Sequence, residues 1–142
     1  MVQIKMGRIT KNLDIEGSKG SKIVEVLFDS GAEDSFIRRD LAQEICDIIV
    51  PRRPSEFTLG DGETEIKPTG LCTLTAEIEE CGLGWTAWVA ERLSRQVIIG
   101  ADVLQKYNLK LDFEHHKIDA SQCRRKFELI CSTSMLTSKY NL

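Results

Sequence analysis

The residues of this chain best suited to chemistry are Asp29, Ser30 and Gly31. They follow a strand-forming run, residues 23–28, and their flanks are apolar: Val26, Leu27 and Phe28 before, Phe36 and Ile37 after. Turns built from Asp, Ser and Gly normally sit between polar flanks, because loops run over the surface. A carboxylate set against apolar strands loses solvation, which is costly unless something pairs or uses it. Asp29 therefore reads as a buried or half-buried acid on a tight turn. A plain turn accounts for the same three residues, since Asp and Ser bond the backbone and Gly takes positive φ.

Other reactive side chains form weaker patterns. Five cysteines, Cys46, Cys72, Cys81, Cys123 and Cys131, make no Cys-x-x-Cys pair. Structural zinc wants closer ligand pairs. They read as reduced thiols filling small spaces in an intracellular protein. His115 and His116 are adjacent, point to opposite faces of a strand, and are poor joint ligands for one metal. No cysteine has a plausible histidine partner, which sets a thiol enzyme far behind. No metal and no cofactor is expected.

Size and charge bound the rest. A chain of 142 residues is one domain that can bury a core without staples. A net charge of −3 gives no support for a nucleic-acid partner, which would want a basic face. No apolar stretch has the length of a signal core or a membrane span, so a cytoplasmic protein with no membrane partner is expected.

The elements that must position Asp29 follow from periodicity. Residues 2–9 predict a first strand, and residues 12–20 a polar stretch ending in the turn Gly17-Ser18-Lys19-Gly20. Residues 21–28 deliver Asp29. Ile37, Leu41 and Ile45 recur at four-residue steps, predicting a helix over 36–46 capped by Asp34 or Ser35. Pro51 and Pro54 mark a loop. Residues 56–67 predict a hairpin with Gly60-Asp61-Gly62 at its tip. Its charges fit either a surface hairpin or a lid over a cleft. Alternation over 70–80 predicts a strand, residues 81–84 a turn, and 85–90 the return. Residues 97–100 are wholly apolar, as in a strand buried on both faces. Asp102 reads as the N-cap of a short helix over 103–107. Leu109, Leu111 and Phe113 predict a strand, with a turn at 115–117 and a return at Ile118. Residues 127–131 predict one more strand, and 132–142 a flexible tail. Many short strands with two short helices argue for an all-β barrel or sandwich.

Taken in order, three features carry a resemblance. They are the strand into Asp29-Ser30-Gly31-Ala32, the glycine-tipped hairpin, and Ile98-Ile99-Gly100-Ala101-Asp102-Val103-Leu104. Together they resemble the retropepsin-like aspartic proteases, the retroviral and retrotransposon type with its cellular members. The resemblance covers residues 23–118. It implies an all-β, retropepsin-like closed barrel with one or two short helices, a half-domain that dimerises. Under it, Asp29 is the catalytic acid, and the hydroxyl of Ser30 locks two active-site loops across a two-fold axis. Gly31 lets substrate backbone approach, and Ala32 bounds the cleft. Gly60, Asp61 and Gly62 form the flap tip, Leu59 points into the cleft, and Ile98 lines a side-chain pocket. Ile99 and Gly100 brace the Asp29 loop. Ser30 stands where the family most often has threonine, and Asp61 puts an acid on the flap.

The chemistry of that family needs two carboxyls, one ionised and one protonated. No second Asp-Ser/Thr-Gly exists in the chain, and Asp61, Asp102, Asp112 and Asp119 each read as structural or solvated. The resemblance thus implies a homodimer that joins Asp29 to its symmetry mate and hydrolyses peptide bonds of a peptide or protein substrate. The alternative within the fold is a catalytically silent dimerisation or binding module; outside it stands an unrelated small β-barrel. The expected division is a protease domain over 1–120 and a C-terminal extension over 121–142.

Overall fold

The computed structural model describes residues 7–53, 57–58 and 65–123, with backbone alone at 57, 58 and 65. Strands β1 (Arg8–Glu16) and β2 (Ser21–Asp29) form a long antiparallel hairpin. Its turn is the expected one, with the Gly17 N–H donating to the Gly20 carbonyl at 2.8 Å. Of the strand expected over 2–9, residues 2–6 lie outside the described residues; β1 runs from Arg8 through the stretch read as polar. Only Ile9 and Ile15 are buried in it, with Leu13 packed at the core's edge, so its polar residues suit the outer face.

Strand β3 (Phe36–Arg38) and helix α1 (Arg39–Ile45) share the segment expected to be all helix. Phe36 and Ile37 pair with neighbouring strands on both sides, and those ladders override the helical period. The N-cap is Arg38, with no side-chain cap, so neither Asp34 nor Ser35 plays the expected role. Strands β4 (Phe57–Thr58) and β5 (Glu65–Ile66) pair as the base of the expected hairpin; its tip lies outside the described residues. Strands β6 (Gly70–Ile78) and β7 (Cys81–Ala90) pair along their whole length. Their turn is Glu79-Glu80, not residues 81–84. Both glutamates take positive φ, 50° and 67°, as a two-residue hairpin turn requires. The glycines that suggested a turn, Gly82 and Gly84, are strand residues.

Strand β8 (Val97–Ile99), helix α2 (Ala101–Lys106) and the small ribbon of β9 (Lys110–Asp112) and β10 (Lys117–Asp119) complete the described fold. The barrel closes in the order β1-β2-β8-β3-β7-β6, with Glu16 against Thr75 at the seam. Strand β8 sits between parallel β2 and antiparallel β3.

The core has two layers, and the strands around Asp29 feed both. Val26, Phe28, Ile37, Val97 and Ile99 point into the barrel. Leu27, Phe36 and Ile98, on the alternate face of the same strands, pack outside it with Ile66, Ala90 and Leu93. This explains the uninterrupted apolar runs: period-2 alternation vanishes where both faces are covered.

The cysteine reading needs correction. Cys81, at the start of β7, is disulfide-bonded to Cys123, with Cα atoms 5.8 Å apart. The two are 42 residues apart in sequence, so no spacing rule signals the pair. Cys46 and Cys72 are free and buried, as expected of space-filling thiols. Cys131 and the strand expected at 127–131 lie outside the described residues. Breaking the bridge, by Cys123→Ser or by reduction, should lower unfolding free energy by about 2–4 kcal/mol, from its loop length. Urea midpoints with and without dithiothreitol measure this; an unmoved midpoint means the bridge holds nothing.

Candidate active site

Asp29 is the last residue of β2 and is 8% exposed. Apart from it, the fully buried polar residue among those described is Ser35. The carboxylate of Asp29 is held from two directions. The Gly31 N–H donates to its Oδ1 at 2.9 Å, and Arg8 Nε lies 3.2 Å from its Oδ2. These contacts orient the carboxylate while its loop turns sharply: the Ala32 N–H returns to the Asp29 carbonyl at 3.2 Å. The Ser30 N–H donates to the Gly7 carbonyl at 2.9 Å, and its hydroxyl, exposed, reaches the same oxygen at 3.4 Å. Gly7 has φ +54°, and a Cβ there would overlap Ser30 Oγ.

The loop rests on the junction of β8 and α2. The Ala101 N–H donates to the Ala32 carbonyl at 2.7 Å, and the Asp102 N–H to the Glu33 carbonyl at 3.1 Å. Gly100 permits that approach. A Cβ on it would lie 2.6 Å from the Ala32 carbonyl oxygen and closer still to that of Asp34. Behind the loop, the buried hydroxyl of Ser35 accepts from the Gly100 N–H at 2.9 Å and donates to Asp102 Oδ1 at 2.7 Å. Asp102 lies in the first turn of α2, whose N-cap is Gly100 with no side-chain cap. Its carboxylate holds Ser35, so the capping role expected for it is replaced by a brace between the two segments.

Other acids have local partners. Asp112 accepts from the His115 N–H at 3.2 Å, and Asp119 from the Ser121 N–H at 3.0 Å. Asp34, half-buried, has its carboxyl raised above the ordinary range, first by burial and then by the charges of Asp102 and Glu33. The free thiols are unsuited to nucleophilic work: burial pushes Cys72 up to about 12, and raises Cys46 as well. Among the described residues no group of three or more His, Cys, Asp or Glu is placed to hold a metal.

Of the residues singled out from sequence, Asp29, Ser30, Gly31 and Ala32 form one loop. Ile98 packs at 7% exposure beside Leu27, Phe36 and Ile66. Leu59, Gly60, Asp61 and Gly62 lie outside the described residues. Three positions were missed: Arg8, Gly7 and Ser35. Arg8 had a signal, because counting outward equally from a turn centred between Ser18 and Lys19 brings Arg8 opposite Asp29. Ser35 had none beyond its place near the motif.

The family model of the Ty3 transposon peptidase matches residues 6–128. The chain belongs to that family. Its fold is accordingly retropepsin-like, as solved structures also show. The retroviral protease-like domain of Ddi1 from Leishmania major matches with a TM-score of 0.57 at 17% identity, covering 78% of this chain and 87% of that domain. The EIAV protease, solved with the inhibitor HBY-793, matches with a TM-score of 0.53 at 19% identity, covering 80% of this chain and all of that one. In this Ty3-type chain the shared barrel carries Asp29 on a loop braced by Gly100, Ser35 and Asp102.

Two substitutions probe the brace. Ser35→Ala strands the Gly100 N–H in a buried setting and should cost about 1–3 kcal/mol; an unchanged denaturation midpoint rules the brace out. For Asp34, a carboxyl raised in the fold binds its proton more tightly folded than unfolded. Stability therefore falls as pH rises from the ordinary carboxylate range through the raised value, and stays lowered above it. Asp34→Asn should raise Tm at neutral pH, the gain fading towards acid pH where both states are protonated. A gain equal at both pH values would show that ionisation is not its source.

Proposed function

We propose that this chain is an aspartic endopeptidase that works as a homodimer, with Asp29 of each copy meeting on the two-fold axis. The observation that carries the reading is the setting of Asp29. It is a nearly buried acid at the end of an apolar strand, oriented by a backbone N–H and an arginine, on a loop bonded backbone to backbone to β8–α2. Membership of a peptidase family supports it. Among the described residues no second acid stands on a comparable loop, since Asp102, Asp112 and Asp119 are taken by local contacts. A closed two-fold interface supplies the missing carboxyl from the same sequence.

In the proposed mechanism the two Asp29 carboxyls share one proton, because two adjacent negative charges are unfavourable. The ionised member takes a proton from a water molecule as its oxygen attacks the scissile carbonyl. The protonated member donates to the carbonyl oxygen. The dyad then donates its proton to the leaving nitrogen while one hydroxyl of the tetrahedral diol gives its proton to the other carboxylate; the C–N bond breaks, the carbonyl re-forms and one proton is again shared. The exposed hydroxyl of Ser30, which reaches the Gly7 carbonyl at 3.4 Å in the single chain, would turn towards the partner's loop in the dimer, and exposed Gly31 leaves room for substrate backbone. Ile98 belongs to the apolar layer beside the acid, which fits apolar side chains around the cut. The hairpin tip, Leu59 to Gly62, is assigned the cover over the substrate, because its base at Ile66 packs on that same layer.

Asp29→Asn should abolish cleavage of an apolar-centred peptide pool, a loss of at least ~10³-fold for a general acid–base pair, with Tm and circular dichroism retained. Sedimentation of the wild type should show a dimer, stabilised by a hydroxyl-bearing transition-state mimic. Cleavage retained by purified Asp29→Asn would sink the reading. Folded protein that stays monomeric at every concentration, mimic included, would reject the dimer.

A further inference from the structure

The apolar layer beside Asp29 continues into a cavity that its chemistry does not need. A cavity of about 410 Å³ is lined by Ile66, Lys67, Ala90, Glu91 and Arg92. Its floor, Ile66 and Ala90, is buried and belongs to the layer that holds Leu27 and Ile98. Leu27 stands two residues before Asp29, and Ala32, three residues after it, packs on the same layer. A cluster of mostly buried apolar side chains thus joins the acid's loop to the cavity floor. An extended peptide, rising about 3.3 Å per residue, can lie over such a cluster with alternate side chains facing it.

The rim differs from the floor. All three rim side chains are charged and exposed, two cations and one acid. Glu91 is already taken, its carboxylate paired with the Arg39 guanidinium. Lys67 and Arg92 make no ion pair among the described residues. Among the described residues the unpaired charges on this rim are therefore positive, although the chain as a whole is acidic, at net −3. The two cations have complementary donor properties. A guanidinium offers a planar fork that matches a carboxylate, and an ammonium acts as a flexible point charge.

We propose that Lys67 and Arg92 form an outlying subsite that takes an aspartate or glutamate side chain of the extended substrate whose apolar part lies on the Leu27–Ile98 layer. The proposal rests on the peptidase reading for why a peptide lies there, but its chemistry is separate from the chemistry of Asp29. The subsite selects substrate by charge at a distance from the cut, while the inner layer selects apolar side chains near it.

The test uses twelve-residue peptides with an apolar centre, identical except for Glu, Gln or Lys scanned through the outlying positions on both sides. Binding is read by fluorescence anisotropy on the full-length Asp29→Asn protein, and cleavage by kcat/KM with the wild type. At one or two positions the Glu peptide should bind about 3–10-fold tighter than its Gln twin, the yield of two exposed charge pairs. That advantage should shrink as salt is raised to about 0.5 M. The double variant Lys67→Gln/Arg92→Gln should lose the advantage and bind the Gln peptide as before. Equal binding of the Glu, Gln and Lys peptides at every position, or an advantage that survives the double variant, overturns the subsite. Selective binding without any cleavage leaves the subsite standing and removes the peptidase reading. Cleavage with no Glu preference does the reverse.

Discussion

Two backbone hydrogen bonds, Ala101 to Ala32 and Asp102 to Glu33, hold the loop that carries Asp29 against the start of α2. They form because Gly100 has no side chain, so that the carbonyl oxygens of Ala32 and Asp34 can occupy the space a Cβ would fill. The buried hydroxyl of Ser35 closes the same junction from behind, satisfying the Gly100 N–H and the Asp102 carboxylate at once. A nearly buried carboxylate is costly wherever its loop can wander, because it then loses its donors while staying desolvated. Fixing the loop by main-chain bonds removes that freedom. The position of Asp29 is thus a property of the barrel rather than of the loop's own preferences.

The barrel can deliver this because its central strands are buried on both faces. Strands β2, β3 and β8 lie side by side, and each places alternate residues into an inner core and an outer apolar layer. The inner set, with Val26, Phe28 and Ile99, makes the scaffold rigid. The outer set, with Leu27, Phe36 and Ile98, extends the apolar surface from the acid's loop to the base of the β4–β5 hairpin at Ile66. One set of strands therefore serves stability on one face and substrate contact, in the proposed function, on the other.

Symmetry bears on the chemistry as much as on assembly. Among the described residues Asp29 is the nearly buried acid, while Asp102 braces the loop and Asp112 and Asp119 accept from turn N–H groups. Acid–base hydrolysis of an amide needs two carboxyls in unlike protonation states, and identical groups reach unlike states when they share a proton. In the proposed function a two-fold axis through the Asp29 loop would meet that need without a second motif.

Much of this was legible in the residues alone, and the reason is local. The strand into Asp29, the wholly apolar strand 97–99, the Gly17–Gly20 turn and the base of the hairpin are each specified by neighbours within a few positions. Ordered motifs along the chain were enough to indicate a retropepsin-like barrel. What failed was decided by partners far away in sequence. Phe36 and Ile37 carry a helical period but become strand, because β7 and β8 flank them. Asp102 looks like a cap but meets a serine 67 positions away. Cys81 finds Cys123 only in the folded barrel, whereas Arg8 reaches Asp29 through the register of the β1–β2 hairpin. Local chemistry singled out Asp29 as the candidate acid; the tertiary structure decided what holds it in place, because burial and most pairings are set by neighbours that the chain's order does not reveal.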